Sequence, residues 1–224
     1  VGALLAWRGE QRQGREELGK ANIALEQAET SGRLVIEARH ASYAWQDKPL
    51  IRDFSTRIMR GDRVGLIGPN GSGKTTLLNL LLGRLRPDTG EVRLGTKLEV
   101  AYFDQLRDQL DPERTVLDNV AGGREHIEIN GQRRHVIGYL GDFLFTAQRV
   151  RSPVKSLSGG ERNRLLLARL FSQPANLLVM DEPTNDLDLE TLELLEELLL
   201  EYTGTLLLVS HDRTFLDNVV TSCL

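Results

Sequence analysis

Residues 68–76 read GPNGSGKTT and lie between an apolar strand-like run, RVGLI at 63–67, and a helix-like run, LLNLLLG at 77–83. The stretch fits G-x-x-x-x-G-K-[ST] in the context that pattern requires, strand before and helix after. Gly68, Gly71 and Gly73 leave room for backbone N–H groups to wrap a phosphate chain, with Pro69, Asn70 and Ser72 forming the turn between them. Lys74 is placed to reach the β- and γ-phosphates of a nucleotide, the Thr75 hydroxyl to ligate Mg2+, and Thr76 to complete the nucleotide-binding loop at the helix start. The plainer alternative is a glycine-rich turn whose lysine is a surface charge.

Other residues suit chemistry on the same ligand. LLVMDE at 177–182 is an apolar strand ending in two acids, which fits a metal site at the carboxyl edge of a sheet. Asp181 would hold Mg2+ through water, and Glu182 would polarise the attacking water; otherwise both acids cap a helix near Pro183. His211 follows the apolar run TLLLVS and is a candidate for the γ-phosphate, although a lone histidine is more often structural. Gln105 closes VAYFDQ and could touch Mg2+ or the lytic water, or simply be a polar strand end. Trp45, with Tyr43 as its substitute, could stack on adenine, or pack as a core aromatic. Finally, SLSGGERNRLLLARL at 156–170 opens a helix with Ser158, Gly159 and Gly160, a second anion cradle built from free N–H groups and the helix dipole.

The elements that must position these residues follow from periodicity and turn chemistry. LVIEARHASYAW (34–45), FSTRIMRGD (54–62), RVGLIG (63–68) and VRLGTKLEVAYFD (92–104) read as strands, and IEINGQRRHV (127–136) as a hairpin around Asn130-Gly131. The second half runs helix 160–172, strand 177–181, helix 189–201, strand 205–211 and helix 213–220. This alternation predicts an α/β fold with a mostly parallel sheet covered on both faces. Residues 8–30, rich in Glu, Gln, Arg and Ala, predict an exposed helix weakened by Gly14 and Gly19 and ended by Ser31-Gly32.

Composition narrows the class. The 224 residues carry 28 Lys+Arg against 32 Asp+Glu, a net −4, so the chain as a whole is not a basic nucleic-acid binder. Charge is uneven: residues 124–164 hold eight Lys/Arg and four acids, while 181–201 hold nine acids and no base, as solvated helix faces can. A single cysteine, Cys223, excludes an internal disulfide framework and cysteine-based metal clusters, and suits a reducing, cytoplasmic setting. No apolar run approaches the ~18 residues of a membrane span, and no export signal opens the chain. Starting at Val1 and ending at Leu224, the chain is expected to be a fragment of something longer.

With these in order, residues 33–224 resemble an ABC-type ATPase domain: GPNGSGKTT, the glutamine of YFDQ, the signature LSGGE, LLVMDEP, the turn NDLD (185–188) and the histidine of SHD occur in family order. EPTNDLD and SHDRTFLDNV are similar to the ABC-F branch, whose members have no transmembrane domains, although many of them carry histidine where Asp186 stands. The resemblance implies a P-loop NTPase fold of ABC type, with a mostly parallel core sheet, an antiparallel β-subdomain and an inserted helical subdomain at about 106–172. It implies ATP and Mg2+ as ligands, and ATP hydrolysis. It also implies that the signature caps the γ-phosphate of an ATP held by a second ABC domain, on the same polypeptide or in a homodimer. On that reading, residues 1–32 are the end of a helical interdomain linker. The ribosome is the implied target, with branched DNA second. The ATPase subunit of a membrane transporter is the alternative that the same motifs allow; a coiled-coil clamp ATPase would need an insertion that 77–157 has no room for.

Overall fold

The computed structural model describes residues 25, 26, 28–46, 48–129, 131–185 and 187–224, with the backbone alone at 105, 107 and 108. Its centre is a sheet of five strands in the order β10-β3-β9-β8-β5. These are β3 (Arg63–Leu66), β5 (Val100–Tyr102), β8 (Leu177–Asp181), β9 (Thr205–Val209) and β10 (Ser222–Cys223), and every pairing among them is parallel. LLVMD and TLLLV are near-continuous apolar runs because the two central strands are covered on both faces.

The period-2 alternation of those strands divides the interior in two. Leu177, Val179, Leu207 and Val209 point into one cluster, completed by helix α1 (Lys74–Leu81) and an antiparallel sheet in the order β2-β1-β4. That sheet consists of β1 (Leu34–Trp45), β2 (Lys48–Met59) and β4 (Thr89–Leu94). Leu178, Met180, Leu206 and Leu208 point the other way, onto α4 (Gly159–Phe171), α5 (Leu189–Glu201) and α6 (Arg213–Val219). The same cluster extends into an insertion made of α2 (Val116–Ala121), the hairpin β6 (His126–Ile129) and β7 (Gln132–His135), and α3 (Val136–Asp142). Tyr139 of α3 is fully buried and donates its hydroxyl to the Ala168 carbonyl of α4 at 2.7 Å, fastening the insertion to the signature helix. Burial pushes that phenol well above its ordinary range.

Two sequence expectations are corrected. The strand expected over 92–104 is two strands in different sheets, β4 and β5. The break follows Gly95, where a β-carbon would overlap the Leu34 carbonyl, and Lys97 takes a left-handed φ of 54°. The helix expected over 8–30 lies mostly outside the described residues, and 25, 26 and 28–30 are not helical. Instead Leu25 is 4% exposed within the helical core, and the Glu26 amide donates to the Phe171 carbonyl at the end of α4. Beyond α6 the chain forms β10 beside β3, a strand too short for periodicity to reveal. Of the Asn130-Gly131 turn only Gly131, at φ 72°, is among the described residues; the hairpin around it is present.

Candidate functional site

In the strand order β3-β9-β8-β5, residues far apart in sequence leave one edge of the sheet side by side. The glycine loop follows β3, His211 follows β9, Asp181 ends β8 with Glu182 next, and Gln105 follows β5. Parallel strands expose all their carboxyl ends together, which is why ligands of open α/β sheets bind there.

The loop is held open by its glycines. Gly71 and Gly73 take left-handed φ values of 76° and 94°, which a residue with a β-carbon adopts only with strain. A β-carbon on Gly68 would meet the Ser72 hydroxyl at 2.8 Å. α1 begins at Lys74, and the first N–H groups of a helix have no acceptor within it. Lys74 folds back over the loop, its Nζ donating to the carbonyls of Gly68 at 2.7 Å and Pro69 at 3.1 Å. An ammonium ringed by loop carbonyls, with helix N–H groups beneath it, fits a phosphate chain of opposite charge.

Beside it, the Thr75 hydroxyl donates to Asp181 Oδ2 at 2.8 Å. A hydroxyl and a carboxylate in contact are both hard oxygen donors, as Mg2+ prefers, and that ion commonly completes its shell with phosphates and water. The site therefore fits Mg2+ bound together with a nucleotide.

Glu182 adopts a left-handed φ of 49°, a conformation that costs a non-glycine residue about 1–2 kcal/mol. It is held there at both ends: its amide donates to the Val209 carbonyl at 2.8 Å, and its carboxylate accepts from the His211 amide at 3.2 Å. His211 Nε2 lies 3.0 Å from Glu182 Oε1 and 3.2 Å from Lys74 Nζ. Lysine only donates, so Nε2 is the acceptor in the contact with Lys74, which alone of the two has hydrogen-bond geometry; Glu182 Oε1 is buried beside the ring without a hydrogen-bond partner.

The remaining sequence candidates fall as follows. Trp45 is 57% exposed at the end of β1, opposite Lys48. Leu50, two residues further along β2, packs 3.8 Å from where a β-carbon on Gly73 would lie, so the hairpin approaches the loop. Tyr43 is instead packed against the core on the other side of the central sheet from α4. Gln105 sits in a 3-10 turn, Asp104–Gln109, directly after β5; its side chain and Asp186 lie outside the described residues.

The signature begins α4 as expected, with Ser158 as its N-cap, but the Ser158 amide is not free. It donates to Glu161 Oε2 at 2.8 Å while the Ser158 hydroxyl accepts from the Glu161 amide at 3.2 Å, a reciprocal capping box. The Ser-x-x-Glu spacing in the sequence was the signal for it. Arg149, 12 residues upstream, clasps the same carboxylate at 2.6 and 2.8 Å and drives it down to about 2, helped by the Ser158 amide. No local pattern points to that arginine. Gly160 has a separate reason: a β-carbon there would overlap Asp188 Oδ2, whose other oxygen caps α5 through the Thr191 amide at 2.7 Å.

A profile of the ABC transporter family matches residues 51–185. The chain is 60% identical over 223 residues to the ATP-binding protein Uup of Haemophilus influenzae, covering all of this chain and 34% of that protein. It is 43% identical over 193 residues to the energy-dependent translational throttle protein EttA of Escherichia coli, covering 86% of this chain and 35% of that one. This chain thus spans about a third of the length of these curated relatives. Among solved structures, an ABC transporter of metal-chelate type in an inward-facing conformation superposes with a TM-score of 0.61 at 25% identity, over 84% of this chain and 77% of that one. Among the described residues, no helix is long and apolar enough to cross a membrane. The chain belongs to the ABC transporter family of ATP-binding domains, in its ABC-F branch.

Proposed function

We propose that this chain is one half of an ATP-operated switch, binding Mg2+-ATP on its own glycine loop and offering its signature to a second ATP held by a partner ABC domain. The carrying observation is the convergence of Lys74, the Thr75–Asp181 pair and the Glu182–His211 pair at one sheet edge. Lys74 exchanges the Gly68 and Pro69 carbonyls for phosphate oxygens, with the amides of Gly71, Gly73, Lys74, Thr75 and Thr76 around them. Trp45 is the exposed ring suited to stack on adenine. Mg2+, held by Thr75 and Asp181 with Gln105 nearby, would supply the charge that neutralises the β- and γ-phosphates. Once Lys74 turns to the phosphates, His211 Nε2 is left to Glu182, orienting the carboxylate that takes a proton from the attacking water.

The resemblance to ABC-type ATPases implies that the second cradle, at Ser158–Gly160, serves the facing domain's ATP. Desolvation of the seam between the two domains strengthens every charge contact across it. The name and 43% identity of the translational throttle support an action on translation, hence the ribosome as target; branched DNA is a second target that only the family resemblance implies. Lys74→Ala should abolish nucleotide binding, whereas Glu182→Gln should keep it and cut turnover about 10²–10⁴-fold. A Glu182→Gln variant hydrolysing at the wild-type rate would remove Glu182 from this role. Ribosome co-sedimentation with the trapped Glu182→Gln protein tests the target, and pelleting with membranes instead would favour a transporter subunit.

A further inference from the structure

We propose that Arg149 is a positioning residue for the shared site: it neutralises and fixes Glu161, so that Ser158 faces the partner's nucleotide with its hydroxyl hydrogen and without a bare carboxylate behind it. This rests on the reading of the signature given above and adds a residue to it.

The proposal starts from a conflict of charges. A carboxylate in the first turn of α4 suits the helix dipole and caps Ser158, yet a nucleotide docking on the same helix start brings several negative charges to it. Glu161 is therefore good for the helix and bad for the ligand unless its charge is cancelled. Arg149 cancels it in the geometry that suits a carboxylate best, with Nε donating to Oε1 at 2.6 Å and Nη2 to Oε2 at 2.8 Å. The same Nη2 donates to the Ser156 carbonyl at 2.8 Å, so the guanidinium also holds the segment leading into the signature. Both side chains are partly withdrawn from solvent, which limits screening of the pair by water.

The capping box decides which hydrogen Ser158 can offer. Its amide is committed to Glu161 Oε2, and its hydroxyl oxygen already accepts from the Glu161 amide. What remains is the hydroxyl hydrogen, a donor with free rotation, on an exposed residue at the positive end of a 13-residue helix. Gly159 and Gly160 add their own N–H groups, which have no acceptor within the helix. Arg149 thus cancels the charge of the carboxylate that caps the helix start and leaves the Ser158 hydroxyl and the Gly159 and Gly160 amides as its donors, with the Asp188 carboxylate turned to cap α5 beside them.

The test is a charge cycle on this chain assayed together with its partner ABC domain. R149Q should lower kcat for ATP hydrolysis by about 10–100-fold, the scale typical of outer-shell partners, with ATP-analogue affinity at this chain's own glycine loop unchanged. R149Q/E161Q should recover most of that loss, because a glutamine at 161 still accepts from the Ser158 amide and carries no charge. A purely structural role for Arg149 predicts the opposite, a double variant no better than the single. R149K, which keeps the charge but not the two-point clasp, should fall between R149Q and wild type, and it carries the comparison if R149Q does not fold. Wild-type turnover in R149Q, no recovery in the double variant, or R149K as inactive as R149Q would each overturn the proposal. Wild-type hydrolysis that does not depend on the partner domain would instead overturn the shared-site reading on which it rests.

Discussion

The Thr75 hydroxyl donates to Asp181 at 2.8 Å across 106 positions of sequence, joining the start of α1 to the end of β8. A hydroxyl that satisfies a carboxylate in this way holds both oxygens at the mouth of the glycine loop. Asp181→Asn should weaken binding of Mg2+-ATP about 10–100-fold while changing metal-free nucleotide binding little. Thr75→Val should do the same, and the double variant should cost less than the two combined, because both changes remove one metal site. Titration of a fluorescent ATP analogue with Mg2+ and with EDTA reads the difference. Equal losses in both conditions would show that the pair serves the fold and not the ion.

Gly160 and Asp188 should behave as a coupled pair. Gly160→Ala drives a methyl group into the Asp188 carboxylate and should destabilise the chain by about 1–3 kcal/mol. Asp188→Ala removes the N-cap of α5 and should cost about 1 kcal/mol. Since the second change also vacates the space the methyl needs, the double variant should be more stable than the sum by over about 0.5 kcal/mol. Urea unfolding of the four proteins measures this, and strict additivity would place the two residues out of contact.

Asn176 carries the docked segment before β1. It is 6% exposed; its Oδ1 accepts from the Glu99 amide at 2.9 Å, and its Nδ2 donates to the Glu29 and Lys97 carbonyls at 2.9 and 2.8 Å. Asn176→Ala leaves these backbone groups without their partner and should cost about 1–3 kcal/mol. The residue precedes the amino end of β8, opposite the nucleotide edge, so ATP affinity should be unchanged. An affinity loss accompanying the change would mean that the docked segment controls the site directly.

Acid should loosen the signature. Arg149 and the Ser158 hydrogen bonds hold Glu161 at about 2, below its ordinary 4.5. A carboxylate lowered on folding contributes stability that is complete above pH 4.5 and lost as pH falls towards 2. Arg149→Gln should raise that titration towards the ordinary value. The stability difference between wild type and variant, from urea midpoints between pH 2 and 6, should be largest above 4.5 and shrink towards 2. A difference independent of pH would assign it to packing.

Much of the site was legible in the sequence because its parts are local. The glycine loop needs its glycines within one turn, Asp181 and Glu182 need the end of one apolar strand, and Ser158 needs a helix start beside it; each is a pattern of neighbouring residues. β8, β9, α4, α5 and α6 were likewise readable from apolar runs and caps. The expected helix does not extend through 25, 26 and 28–30, because solvent-like composition says nothing of docking: Leu25 and Ser31 are buried.

What the amino-acid order determined by itself was the set of candidate site residues and the element carrying each, since these depend on side-chain type and on hydrogen bonds between near neighbours. Tertiary structure alone decided their adjacency. The order β3-β9-β8-β5 brings His211 between Lys74 and Glu182, and the packing of the insertion carries Arg149 to Glu161. Contacts of this kind are fixed by how sheets and helices stack to bury both faces of the central strands, and no spacing along the chain encodes them.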